Sequence, residues 1–186
     1  DVPLSEGRYQ FEVNVFGAMR LTQLVLPHMR EQRGGKIINV TSMGGKIYTP
    51  LGGWYHGTKF ALEALSDCLR LEVKPFGIDV VVIEPGSIET EWSGIAADGV
   101  RKASGKSAYG KQAEAVATSM TSEANTKRMS PPQVIADAIG KAVSARKPKT
   151  RYAAGFGARP MITLRGLLPD RGFDSFISRA TGLPRS

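Results

Sequence analysis

The fold is decided by Ile78-Asp79-Val80-Val81-Val82-Ile83, a run that Pro85-Gly86 ends. It is short, β-branched and almost continuously apolar, which is typical of a strand buried on both faces of a parallel sheet. A second β-rich run, Lys36 to Ser42, precedes it, and apolar residues recur with helical spacing between the two runs, from about Tyr55 to Lys74. Strand, helix and strand in this order predict a parallel βαβ unit.

The alternation of helices and strands continues on both sides of this unit. Residues 5–33 have helical spacing and end at Gly34-Gly35, and a further helix is expected to begin at Ser130-Pro131-Pro132, with its buried positions from Val134 to Val143. We expect a short strand at 151–154. Two short terminal helices are expected over 161–168 and 173–177. The sequence therefore predicts a single α/β domain over 1–186, with a doubly wound parallel sheet of the Rossmann type.

Residues 87–129 differ in composition from the rest of the chain. They are rich in Ala, Ser, Gly, Thr and Lys, and their apolar periodicity is weak. We interpret them as a mobile, partly helical excursion, because long segments of this kind are usually functional or disordered.

Composition excludes several classes of protein. The chain has 186 residues, 41% of them hydrophobic and 23% charged, as in ordinary globular domains. A single cysteine, Cys68, excludes an intrachain disulfide framework. No apolar run approaches the roughly 20 residues of a membrane-spanning helix, and the first residues do not resemble a signal peptide. We expect a cytoplasmic protein with no integral membrane segment.

The net charge of +8 is concentrated in the second half of the chain. Residues 1–93 carry 9 Lys/Arg and 11 Asp/Glu, whereas residues 94–186 carry 16 and 6. A basic half is compatible with nucleic acid, an anionic membrane surface or a phosphorylated ligand. Its charges are scattered except at 146–151, so a solvated basic surface is the preferred interpretation and no nucleic-acid partner is expected.

His28, His56 and Cys68 lack metal-ligand spacing, so no metal site is expected.

Four polar residues together indicate a site. Tyr55 and Lys59 are four residues apart on a predicted helix and therefore share one face. Ser42 follows a predicted parallel strand, where open α/β sheets place their ligands. Asn14 lies inside a predicted helix, where asparagine has poor propensity. Each residue alone has an ordinary structural explanation as a packing, cap or surface residue.

The four residues could jointly perform proton transfer. A tyrosine with its ordinary pKa of about 10 is a poor base at neutral pH, and a nearby ammonium lowers that pKa. Tyr55 could then exchange a proton with an alcohol or carbonyl oxygen, which the Ser42 hydroxyl would hold. Such a site also needs a hydride carrier, which a nicotinamide cofactor would supply.

The sequence closely resembles the classical short-chain dehydrogenases/reductases over nearly its whole length. The matching segments stand in the family's order, and four of them in register are far more specific than Tyr-x-x-x-Lys alone. They are Phe11-Glu12-Val13-Asn14-Val15-Phe16-Gly17, Ile37-Ile38-Asn39-Val40-Thr41-Ser42, Tyr55-His56-Gly57-Thr58-Lys59 and Glu84-Pro85-Gly86-Ser87-Ile88-Glu89-Thr90.

The resemblance implies a role for each matching residue. Tyr55 would be the proton donor and acceptor, and Ser42 would orient the substrate oxygen. Lys59 would lower the pKa of Tyr55 and bind the nicotinamide ribose, while Asn14 would hold a water that links Lys59 to solvent.

The resemblance also assigns the segment after the second predicted strand to the cofactor. Pro85, Gly86 and the backbone of Ile88 would lie along the nicotinamide, and Thr90 near its carboxamide or the phosphates. Residues 87–129 would be the substrate-binding lid.

Taken together, these residues imply an NAD(P)-dependent oxidoreductase acting on a small-molecule alcohol or ketone, and an apolar carboxyl-terminal region favours a lipophilic one. A homodimer or homotetramer is expected, since the two long helices carry apolar residues around much of their circumference. NAD and NADP are not distinguished by the residues present. The alternative is a non-catalytic binding protein of the same fold.

One part of the family pattern is missing from the sequence. The family's opening strands, its Gly-rich pyrophosphate turn and an Asn-Asn-Ala-Gly segment have no counterpart, and residues 155–160 resemble that turn only weakly and are interpreted as a loop. About three strands are also too few for a doubly wound sheet. We therefore expect roughly 80–100 further residues upstream, and expect residues 1–186 expressed alone to be insoluble or molten.

Overall fold

The computed structural model describes residues 1–183, and its centre is a three-stranded parallel sheet. The strands are β1 (Gly35–Val40), β2 (Ile78–Pro85) and β3 (Arg151–Ala154), in the spatial order β1-β2-β3. Ile37 pairs with Val80, and Val82 pairs with Arg151. The predicted α/β fold with a parallel sheet is confirmed, with β2 as its buried middle strand.

Helices follow or precede every strand. The longest predicted helix, 5–33, is present, but it consists of two α-helices joined by a π-helix over Glu12–Gly17. The helices are α1 (Leu4–Phe11), α2 (Ala18–Glu31), α3 (Gly53–Val73), α4 (Trp92–Ser104), α5 (Gly110–Thr121), α6 (Glu123–Thr126), α7 (Gln133–Ser144), α8 (Ala158–Leu167) and α9 (Asp170–Ala180).

Successive residues of β2 pack on opposite faces of the sheet, as a strand period of two requires. Val80 joins a cluster with Leu69 and Val73 of α3, against which Leu26 and Met29 of α2 also pack. Val81, the next residue, instead packs on α7, through Ala138 and Ala142. Helices therefore cover both faces, which explains why β2 is apolar without alternation.

The segment 87–129 is more regular than the sequence indicated. It contains α4, α5 and α6, and α4 packs against α5 through Ala97, Ala113, Val116 and Ala117, all of them buried. Three of these four residues are alanines, so the sequence has few large apolar side chains whose spacing would indicate a helix. The predicted partly helical excursion is therefore helical over most of its length, and its mobility stays a prediction.

The carboxyl-terminal helices are longer than predicted and cover the segment before α3. Phe173 and Ile177 of α9 are buried against Ile47, and the Arg165 guanidinium lies 5.4 Å from the ring centre of Tyr48. Residues 155–157 form a turn in which both glycines have positive φ, and α8 begins directly after it. Within residues 1–183, no helix is both long and apolar enough to cross a bilayer.

A buried ion cluster ties α3 to the sheet. The carboxylate of Glu63, 4% exposed, accepts two hydrogen bonds from Arg151, at 3.1 and 3.0 Å, and one from the Thr41 hydroxyl at 2.6 Å. Lys46 approaches the same carboxylate to 3.0 Å. Burial raises the pKa of Glu84, the second carboxyl group of the cluster, and the charge of Glu63 raises it further.

Glu84 is held differently from Glu63. Its Oε1 lies 3.3 Å from Nε of Arg151, but it makes no hydrogen bond, because the single proton of that nitrogen points to Glu63. The cluster is therefore short of donors, which agrees with the raised pKa of Glu84.

Replacing Arg151 by methionine should destabilise the protein by about 3 kcal/mol, the lower end of the range for breaking a buried ion pair. The variant leaves the buried carboxylates of Glu63 and Glu84 without their shared cation. Chemical unfolding at pH 7, followed by circular dichroism, measures the change in the free energy of unfolding.

Arg146→Met is the matched control. Arg146 is exposed and forms no ion pair with any residue in the described part of the chain, yet its loss changes the net charge equally. A loss of stability equal in the two variants would show that net charge, and not the cluster, is responsible.

Candidate active site

One face of α3 presents Tyr55, Lys59 and Glu63 at intervals of four residues. The Lys59 ammonium donates to the carbonyl of Val40, the last residue of β1, at 3.3 Å, and its Nζ lies 5.9 Å from the centre of the Tyr55 ring. The predicted convergence of these side chains at the carboxyl end of a strand is therefore what the structure shows.

Ser42 stands next to Tyr55 because the chain turns tightly after β1. Ser42 itself is extended, and its Oγ accepts the N–H of Gly44 at 3.0 Å, which starts a 3₁₀ turn. A Cβ on Gly44 would lie 3.1 Å from the Tyr55 ring, so a glycine permits this close approach. The turn thereby brings the serine hydroxyl to the phenol.

Burial dominates the ionisation of both residues on the α3 face. It raises the pKa of the Tyr55 phenol, an effect that the nearby Ser42 hydroxyl partly opposes. Burial also lowers the pKa of Lys59. The pKa of Tyr55 thus moves in the direction opposite to the one expected from Lys59, because desolvation of the phenol is the largest influence on it.

Asn14 lies in the π-helical turn and reaches α3. Its Nδ2 donates to the Thr58 hydroxyl at 3.1 Å, and that hydroxyl donates to the carbonyl of Tyr55 at 2.8 Å. The structure therefore places Asn14 against the turn of α3 that carries the site, as π-turns at functional sites often do. Thr58, fully buried, was missed in the sequence analysis, since its role depends on this contact.

The segment after β2 lies beside the turn after β3. Gly86 donates to Ala154 at 2.8 Å, and a Cβ on Gly86 would come within 2.2 Å of the Phe156 carbonyl. Ser130 pairs with the backbone of Ser87 and Glu89, which leaves the N–H and C=O of Ile88 on the other side of the segment.

Two further residues of this segment have defined surroundings. Pro85 is the last residue of β2 and lies at the same sheet edge as Ser42. The Thr90 hydroxyl accepts the N–H of Trp92 at 3.3 Å at the start of α4. The structure therefore fixes where the predicted cofactor residues lie, and their role in binding stays a prediction.

Trp92 is a site residue that the sequence analysis missed. Its ring centre lies 5.2 Å from that of Tyr55, and about half of the side chain is exposed. The signal available was an aromatic residue two positions after Thr90, but only the path of the chain from β2 into α4 brings the two rings together. Trp92 therefore forms one wall above the phenol.

The arrangement of these groups can perform proton transfer to an oxygen atom. A phenol, a hydroxyl and a half-buried ammonium surround one position at the carboxyl edge of the sheet. Within the described residues, no group of three or more His, Cys, Asp and Glu side chains is arranged to hold a metal ion.

Comparison with known sequences identifies relatives over most of the chain. A family profile described as short chain dehydrogenase matches residues 3–101. The uncharacterized oxidoreductase YusZ of Bacillus subtilis is 35% identical over 96% of this chain and 64% of its own length. An uncharacterized oxidoreductase of Schizosaccharomyces pombe is 34% identical over 93% of this chain and 71% of its own. The chain thus spans slightly less than two thirds of YusZ.

Solved structures show the same fold. The crystal structure of a short-chain dehydrogenase from Streptomyces avermitilis superposes with a TM-score of 0.66 at 29% identity, covering 97% of this chain and 61% of that one. A short chain dehydrogenase from Burkholderia cenocepacia, solved in complex with NADP, gives a TM-score of 0.58 at 22% identity over 98% of this chain and 61% of its own. Both likenesses place the parallel sheet and its helices in the Rossmann-like class.

The pKa of Tyr55 can be measured from phenolate absorption. The difference between the titration curves of the wild type and Tyr55→Phe, taken at 295 nm without cofactor, should have a midpoint above 10, because burial disfavours the charged form. The chain has five tyrosines, so subtraction isolates one of them. The same subtraction in denaturant is the control and should return the ordinary value of about 10. A native midpoint below 10 would contradict the prediction.

Proposed function

Because the chain belongs to the short-chain dehydrogenase family, we propose that this protein is an NAD(P)-dependent oxidoreductase that interconverts an alcohol and a carbonyl compound. The observation that carries the proposal is the convergence of Ser42, Tyr55 and Lys59 at the carboxyl end of β1. A phenol with a hydroxyl and an ammonium beside it is the arrangement expected for proton transfer to an oxygen atom.

In this proposal Tyr55 is the proton donor and acceptor. Burial favours its protonated phenol at neutral pH, which is the form that donates to a carbonyl oxygen during reduction. The hydroxyl of Ser42 already accepts from Gly44, so its own proton is left to bind the same substrate oxygen. A nicotinamide coenzyme, when bound, supplies the hydride that side chains lack.

The Lys59 ammonium has enough hydrogen-bond donors to bind a nicotinamide ribose. Its ammonium has three protons, and within residues 1–183 it donates to one acceptor, the Val40 carbonyl at 3.3 Å. The remaining protons can bind the two hydroxyls of a ribose. The proposed role of Asn14 is to hold a water between Lys59 and solvent, supported by its place against the same turn of α3.

The proposed contacts to the nicotinamide ring come from Pro85, Gly86 and Ile88, with Thr90 at its carboxamide or the phosphates. The backbone of Ile88 supports this, since its N–H and C=O are turned away from the pairing with Ser130. NAD and NADP are identical in this half of the molecule, and either fits these residues.

The substrate proposed is a small lipophilic alcohol or ketone. The side chains that support an apolar substrate are exposed aromatic and aliphatic residues of the lid and the carboxyl-terminal region. They include Trp92, Ile95, Phe156 and Leu167. We also propose residues 87–129 as the substrate-binding lid, because Trp92 at its start lies over Tyr55.

The alternative functions explain the structure less well. A non-catalytic binding protein of this fold has no need of the Tyr55, Lys59 and Ser42 arrangement. A nucleic-acid interface requires free basic side chains in a cluster. Several of those in the second half are instead paired with acidic residues, namely Arg101, Lys127, Arg151 and Arg165. We further propose a cytoplasmic location, since the exposed thiol of Cys68 suits a reducing compartment.

Tyr55→Phe should lower kcat by at least the 10²–10⁴-fold typical of a general acid or base, while leaving the fold intact. The assay is NADPH or NADH oxidation with a panel of ketones, using the full-length protein. Tyr9→Phe, at an exposed tyrosine of α1, is the matched control. A Tyr55→Phe variant with near-normal kcat would exclude the proton-transfer role.

A homo-oligomer, dimer or tetramer, is also proposed. Val13 and Phe16 in the π-helical segment, Leu21 and Leu24 on α2, and Leu71 on α3 are each more than half exposed in the single chain. Burying a large apolar side chain is worth about 1.5–3 kcal/mol, which favours a helix–helix interface between subunits. Light scattering at micromolar concentration should give a dimer or larger mass, and Leu21→Glu should reduce it. A monomer mass for the wild type would contradict this.

A further inference from the structure

His56 is a buried histidine next to the proton donor that the mechanism above does not use. It follows Tyr55 in α3, is 9% exposed, and its ring centre lies 5.6 Å from that of Tyr55. Both ring nitrogens have partners in the segment between β1 and α3. Nδ1 lies 2.9 Å from the Gly44 carbonyl, and Nε2 lies 3.0 Å from the backbone nitrogen of Thr49.

These partners determine the tautomer of the ring. A carbonyl oxygen only accepts, so Nδ1 must carry a proton and donate it to Gly44. The N–H of Thr49 only donates, so Nε2 must be bare and accept from it. The hydroxyl of Thr49, 2.9 Å from Nε2, can donate to the same nitrogen. His56 is therefore neutral and protonated on Nδ1, and burial, which lowers its pKa, favours the same state.

The hydrogen bond to Gly44 reaches the reacting hydroxyl through one residue. Gly44 accepts from His56 with its carbonyl and donates to Ser42 Oγ with its N–H at 3.0 Å. The packing leaves little freedom here, because a Cβ on Gly44 would lie 3.1 Å from Nδ1 and one on Gly52 would lie 2.9 Å from Nε2. The ring thus fills the space inside the 44–52 segment and holds the carbonyl of Gly44, the residue whose N–H binds the serine.

We propose that His56 is a positioning residue: its Nδ1–H fixes Gly44, whose N–H in turn fixes the Ser42 hydroxyl beside Tyr55. The role in turnover rests on the function proposed above. The tautomer and the hydrogen bonds do not, so they can be tested separately.

The first test is ¹⁵N NMR of histidine in the full-length wild-type protein near neutral pH. The chain has two histidines, and the exposed His28 serves as the internal reference, assigned with His28→Gln. We expect the His56 ring to be protonated on Nδ1. Protonation on Nε2, or a rapid average of both tautomers, would overturn the proposal whether or not the protein is an enzyme.

The second test uses two amides that each replace one ring nitrogen. In His56→Asn the amide N–H₂ takes the place of Nδ1–H and can donate to Gly44. In His56→Gln the amide oxygen takes the place of Nε2 and can accept from Thr49, but the donor to Gly44 is lost. We expect kcat to fall about 10- to 100-fold in His56→Gln, as for a catalytic group misplaced by up to 1 Å, and to stay within about threefold in His56→Asn.

Melting temperature separates positioning from folding. His56→Asn loses the two contacts of Nε2 with Thr49, and His56→Gln loses the one contact of Nδ1 with Gly44. A purely structural role therefore predicts that kcat follows the loss of melting temperature in each variant. Equal kcat losses in the two amide variants, or a His56→Gln enzyme with wild-type kcat, would overturn the proposal. His28→Gln is the matched control and should leave kcat and melting temperature unchanged. Should Tyr55→Phe retain activity, the proposed function fails while the NMR result on His56 still stands.

Discussion

The carboxylate of Glu63 is the constraint on which the arrangement of the site depends. It is buried in α3 and takes its partners from three other places: Thr41 after β1, Lys46 in the following segment, and Arg151 at the start of β3. A buried carboxylate left without partners costs several kcal/mol, so α3 can pack on the sheet only in the rotation that brings these groups together. That rotation also points Lys59, one turn earlier, and Tyr55, two turns earlier, to the carboxyl edge.

A second polar contact, three residues further along α3, also holds this helix against β1. Asn39 of β1 donates to the Ser66 hydroxyl at 2.9 Å, and Ser66 is fully buried. With Glu63 this gives α3 two polar anchors along β1, while Leu69 and Val73 supply the apolar contact to the sheet. Apolar packing alone tolerates small rotations of a helix, whereas hydrogen bonds at two positions along the helix axis do not. The polar anchors therefore set the geometry and the apolar cluster supplies most of the stabilisation.

Close approach of the backbone completes the site. The 3₁₀ turn after Ser42 lies directly on α3, where Gly44 faces Tyr55 and His56 and a Cβ on Gly45 would lie 3.0 Å from the Lys59 carbonyl. Water is thereby kept from one side of the Tyr55 ring, and Trp92 covers another part of it. This desolvation explains why the phenol stays protonated although an ammonium lies on the next turn of the helix.

The sequence by itself determined the parallel strands, the long helices and the spacing that places Tyr55 over Lys59, because these follow from local periodicity. Ser42 could also be placed, since the end of a strand is visible in the chain. Only the tertiary structure decided the rest: the helical order of 87–129, the contact of Trp92 with Tyr55, the tautomer of His56 and the direction of the Tyr55 pKa. Each of these depends on burial or on a partner distant in sequence, and neither can be obtained from the residue types alone.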